Sequence, residues 1–161
     1  MADLNRRALV GWASATAALG FSGHSSAGTI VDQALDNKAV LQRFIEQVWR
    51  KGRIDELPTF WAADCGNHAD PATDNHGLAA LRRYHEGFAS AFADFQDMSI
   101  EIQQQVSEGD RVVTQMLTRA VHGPSKRPVK LATIRIDRMA NGKIAEHWSV
   151  ADMAGLMQQL G

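Results

Sequence analysis

The hydrophobic and polar positions along the chain change period once, from helical to alternating. From about Asn37 to Lys51, Val40, Leu41, Phe44, Ile45, Val48 and Trp49 recur at helical spacing and form one apolar stripe. Asp36 is a plausible N-cap for this helix and Gly52 a plausible C′ residue. A short second helix is expected over Ile54 to Trp61, with Pro58 tolerable near its first turn. The polar run Ala63 to Pro71 reads as a brief strand entering a turn, and Asp74 or Asn75 can cap a third helix, about His76 to Ala93. Leu78, Leu81, His85, Phe88 and Phe92 share its apolar stripe, with His85 the odd member. After that the period falls to two. Met98, Ile100 and Ile102 alternate with polar residues, Arg111 to His122 is a second strand, and Asp152 can start a last helix.

The hairpin from Val129 to Asp152 organises the rest. Asn141-Gly142 between two alternating runs predicts a two-residue turn that pairs Ala140 with Lys143. Counting back from there, Asp137 faces Glu146, Arg135 faces Trp148 and Ile136 faces His147. One face then carries Arg135, Asp137, Glu146 and Trp148, and the other Ile134, Ile136, His147 and Ser149. Neither face is purely apolar. An edge hairpin with an exposed ion-pair ladder would account for this, and so would a face that lines a cavity. Helices first and a hairpin-linked sheet last define an α+β domain.

Composition narrows the function. The 161 residues suit one domain, and a formal net charge of −1 with no Lys/Arg stripe disfavours nucleic-acid binding. A single cysteine, Cys65, allows no intrachain disulfide and gives no zinc pattern. His68, His76 and His85 lie near one another in the sequence. The nine-residue spacing of the last two sends them to different sides of a helix, so no metal site is expected. Residues 1–27 combine Arg6-Arg7, a short apolar run and Ser25-Ser26-Ala27, the layout of a twin-arginine export signal. A helical extension on a cytoplasmic protein is the alternative. The apolar run is too short for a membrane span. Residues 28–36 then form a linker and 37–161 the domain.

The order helix–helix–strand–helix–strands resembles the nuclear-transport-factor-2-like (NTF2-like) fold. Arg135-Ile136-Asp137, then Asn141-Gly142-Lys143-Ile144-Ala145-Glu146-His147-Trp148, Asp152 and the closing Gln159-Leu160-Gly161 resemble the SnoaL-like polyketide (ester) cyclase family. Asn67-His68-Ala69-Asp70-Pro71 is similar to that family's His-Asp-Pro turn, and Gly77-Leu78 fits its third helix. The region Arg119 to Gly123 departs from the family's Gly-Thr-His-x-Gly pattern and keeps only a displaced His122. The resemblance implies a cone-shaped α+β barrel, often a homodimer, with no metal and no cofactor. It also implies acid/base chemistry by a carboxylate and a histidine on a ring-sized, carbonyl-bearing apolar or aromatic ligand.

Proton abstraction next to a carbonyl needs a base of matched pKa and a group that stabilises the enolate. Asp152 is the first candidate acid/base, with helix capping as its other role, and His68 is the second proton carrier. Trp148, Arg135, His85, Trp61, Glu146 and His122 are the expected ligand-pocket residues. Arg135 could stack on Trp148, bind a substrate anion or pair diagonally with Glu146, a structural pairing being expected more often than a catalytic use. A non-catalytic ligand-binding or dimeric interaction module is the alternative function, and a factor with a vestigial pocket is a third.

Overall fold

A computed structural model describes residues 26–69 and 76–161. The proposed export signal, residues 1–27, lies almost wholly outside them, as does the turn at Asp70-Pro71. The elements are α1 (Ser26–Phe44), a π-helical turn (Ile45–Arg50), a 3-10 turn (Ile54–Glu56), α2 (Leu57–Phe60), β1 (Trp61–Asn67), α3 (Gly77–Ala91), β2 (Phe95–Glu108), β3 (Arg111–His122), β4 (Arg127–Ala140), β5 (Lys143–Ala151) and α4 (Met153–Leu160). The strands form one sheet in the order β1-β5-β4-β3-β2. Its last four strands are an antiparallel meander, and β1 joins β5 in parallel. The sheet curves without closing, so β1 and β2 remain edges.

Two boundaries differ from those expected. α1 begins at Ser26, so the stretch assigned to a linker is helical and Asp36 sits inside a helix instead of capping one. No glycine or proline interrupts Thr29 to Lys51, so nothing in the local chemistry stops the helix earlier. Trp61 opens β1 and does not close the second helix. The expected stripe does bury: Leu41, Phe44, Ile45 and Val48 enter a core with Leu57, Trp61, Leu81, Met116 and Ile144. The π-helical turn at the end of α1 adds a residue to the helical ladder just where Val48 and Trp49 face the sheet.

The hairpin turn is as expected. Asn141 and Gly142 have φ of 50° and 72°, and Ala140 pairs with Lys143. The register beyond it is not. A β-bulge follows: Met139 pairs with Ile144 but Arg138 pairs with Glu146, leaving Ala145 as the extra residue. Every later pair slips by one. Asp137 faces His147, Ile136 faces Trp148 and Arg135 faces Ser149. Because side chains alternate with period two, the slip turns all of β5 beyond the bulge over. Arg135, Asp137, His147 and Ser149 therefore share the inner face, against the helices. Ile134, Ile136, Arg138, Glu146, Trp148 and Val150 share the outer face.

Candidate active site

α3 does not seal the inner face of the sheet. Between them lies a cavity of about 280 Å³. Trp49, Phe88, Phe92, Met98, Ile100 and Leu131 give it an apolar wall, and Tyr84, His85, Thr118, Thr133, His147 and Ser149 place polar groups in that wall. Few polar groups set in an apolar enclosure is the composition of a small-molecule site.

A fully buried polar chain stands behind one wall. Arg135 Nε donates to Asp137 Oδ2 at 2.7 Å and Arg135 Nη2 to Oδ1 at 2.6 Å, a two-pronged pair with both side chains 0% exposed. The same Oδ1 lies 3.0 Å from His147 Nδ1. The Arg135 guanidinium lies against both Phe44 and Trp49, at 5.1 and 5.0 Å from the ring centroids. Trp61 touches His147 edge-on from behind. With Nδ1 held by Asp137, Nε2 is the nitrogen His147 offers to the cavity it lines.

Electrostatics sets the charge states. Burial alone would raise the Asp137 carboxyl. The Arg135 charge and the hydrogen bond from His147 outweigh burial and hold the carboxyl below its usual range. Burial and the Arg135 guanidinium lower His147, while Asp137 works against them. The site at neutral pH is thus a guanidinium, a carboxylate and an uncharged imidazole with a free Nε2 lone pair. That is the base form of a carboxylate-oriented histidine.

The expected site residues divide between two places. His85 lines the cavity, and Arg135 lies beneath Trp49 in its support. Trp61 is packed behind His147. His68, Glu146 and Trp148 come together on the outer side of β5. There the His68 ring stacks on Trp148 at 4.7 Å, and its Nε2 lies 3.5 Å from Glu146 Oε2. Arg138, not Arg135, pairs with Glu146, through Nε at 3.0 Å and Nη2 at 2.5 Å. The hydrogen bond from Arg138 holds the Glu146 carboxyl below its usual value. Arg111, also not Arg135, covers the Trp148 ring, at 5.4 Å. The bulge is the reason for both exchanges. This outer cluster borders a polar depression of about 340 Å³ with Asp64 and His76.

Asp152 is exposed and caps α4, accepting from the Gly155 amide at 2.8 Å. His122 bonds Ser125 at 2.7 Å, outside the cavity wall. Sequence reasoning did not assign His147 and Asp137 to the site together, because the bulge that joins them has no local signature. A buried Arg-x-Asp pair on an alternating strand was the available hint. No cluster of three or more His, Cys, Asp or Glu among the described residues is arranged to hold a metal ion. No helix among them is long and apolar enough to cross a membrane.

Residues 39–160 match the family model described as SnoaL-like polyketide cyclase. Among solved structures, IdmH from Streptomyces antibioticus, a candidate polyketide cyclase, is 25% identical with a TM-score of 0.66, over 78% of this chain and 98% of that one. TsrD from Streptomyces laurentii is 26% identical with a TM-score of 0.62, over 76% and 96%. AclR from Streptomyces galilaeus, a candidate hydroxylase, shares the fold at 24% identity and a TM-score of 0.65, over 80% and 86%. No curated protein matches significantly. The fold is therefore NTF2-like, and a fold alone does not fix a chemistry.

Proposed function

Because the chain belongs to the SnoaL-like polyketide cyclase family, we propose that it binds a ring-sized, carbonyl-bearing apolar molecule in the cavity and moves a proton next to the carbonyl, without a cofactor. The observation that carries this reading is His147, set between the buried Asp137 carboxylate and the cavity. Nδ1–H donates to Asp137, so Nε2 is free to accept a proton. The carboxylate then stabilises the imidazolium as it forms. Arg135 keeps Asp137 ionised in a place where burial would otherwise neutralise it. Trp49, Phe88 and Phe92 offer flat surfaces to a ring system and exclude water. In this reading proton transfer falls to His147, while Asp152 terminates a helix and His68 belongs to the outer cluster.

Deuterium exchange at the α-carbon of 2-acetylnaphthalene in D₂O tests the base. The protein should accelerate exchange, and His147→Gln should lower the rate by about 10²–10⁴-fold with binding retained. Tight binding with no exchange in the native protein would sink the enzyme and favour the non-catalytic pocket.

We also propose that the outer face pairs with a second copy of the chain. Val106 on β2, Ile134 and Ile136 on β4 and Val150 on β5 are exposed apolar side chains on that face.

A further inference from the structure

Two imidazoles reach the cavity from opposite walls, and their surroundings differ. His147, on β5, has a carboxylate on Nδ1. His85, on α3, pairs with no carboxylate among the described residues. The rings of Phe44, Trp49 and Tyr84 surround it, with centroids at 6.0, 6.3 and 5.6 Å. Its Nε2 is buried and has no hydrogen-bond partner among the described residues. Burial, then the Arg135 charge and the neighbouring His147, pushes this ring down to about 3. It stays uncharged across the physiological range. An uncharged ring cannot act as an imidazolium acid, but it can donate one N–H to an oxygen.

Other groups in the wall could reach an oxygen too. Tyr84, Thr118, Thr133 and Ser149 carry hydroxyls, and a hydroxyl can rotate towards a partner nearby. A ring nitrogen on a packed imidazole cannot. Leaving it unpaired in a buried place beside the cavity is unfavourable, so it stands to gain from a ligand oxygen.

We infer that His85 is the oxygen-binding half of this site: its Nε2–H donates to the ligand's carbonyl oxygen and holds the negative charge formed there when His147 removes the α-proton. The inference rests on the carbonyl-ligand reading above and adds the group that stabilises the enolate. In the step, the C–H electron pair becomes the C=C π bond of the enolate. The C=O π pair moves onto oxygen, and the proton ends on His147 Nε2. Delivery of that proton to a different carbon of the enolate system completes an isomerisation. Attack of the enolate carbon on a second carbonyl of the same molecule, with the proton passed from His147 to the new alkoxide oxygen, completes a ring closure. No oxidant or co-reactant is consumed.

The test binds 2-acetylnaphthalene, ¹³C-labelled at the carbonyl, and reads the C=O stretch by difference infrared spectroscopy beside the α-exchange rate. In the native protein the stretch should fall below its value in hydrocarbon solvent. His85→Leu should lose that shift and slow exchange by about 10²-fold while still binding the ketone. His85→Gln, which can restore a donor near the Nε2 position, should recover part of both. If His85→Leu fails to fold, His85→Met, unbranched and apolar, takes its place. An unchanged stretch and rate in the apolar variant would overturn the role of His85 and leave His147 standing. A native protein that binds no ketone would overturn the ligand reading itself, and this inference with it.

Discussion

Acid should destabilise this protein through His85, by an amount the structure sets. In the unfolded chain the ring titrates near 6.5, and in the folded chain burial and the Arg135 charge push it to about 3. Above 6.5 neither state carries the proton, so the contribution to stability is fully present. As the pH falls from 6.5 towards 3 the unfolded chain takes up a proton that the folded chain refuses, and stability is lost. Two pH units at about 1.36 kcal/mol each make the loss roughly 3 kcal/mol between pH 6.5 and 4.5. That is a large part of the ~5–15 kcal/mol that holds a typical domain together. Urea unfolding followed by circular dichroism at pH 7 and at pH 4.5 measures it. His147 is lowered as well, but it is present in both the native protein and His85→Gln, so the comparison isolates His85. The variant should lose about 3 kcal/mol less than the native protein over this range. Parallel losses would mean that His85 reaches solvent, and the uncharged-donor assignment would fail with it.

Further outcomes follow from the same geometry. Arg135→Met strands the Asp137 carboxylate in the core and should cost about 3–5 kcal/mol in urea melts, whereas Arg135→Met with Asp137→Asn should recover much of it. A double variant as unstable as the single one would count against the pairing. Glu146→Gln breaks a half-exposed pair with Arg138 and should change stability by no more than about 1 kcal/mol, with α-exchange unaffected, since Glu146 lies on the outer face. Ile134→Lys with Val150→Lys should convert a dimer to a monomer in sedimentation velocity; a native protein that already sediments as a monomer refutes the pairing of sheet faces. N-terminal sequencing of secreted protein should find residues 1–27 removed, and retention of Met1 on exported material would discard the cleavage.

Local chemistry settled the class of this chain and many of its elements. Helical spacing placed the stripe from Val40 to Val48, strict alternation placed the late strands, and Asn141-Gly142 fixed the turn between β4 and β5, because both residues accept positive φ. The resemblance carried by Gly142 to Trp148 pointed to the family that residues 39–160 match. The inner and outer faces of the hairpin were beyond local reach. One extra residue, Ala145, turns β5 over. Pairing strength and the packing of Ile144 and Met139 into the core decide where such a residue goes, and those are contacts between distant parts of the chain. The same limit applies to His85. Its place on an apolar stripe was visible, but its charge state depends on burial and then on the Arg135 charge, both of which arise only after the sheet folds against α3. Period and turn are properties of neighbours in sequence, whereas burial and charge coupling are properties of neighbours in space.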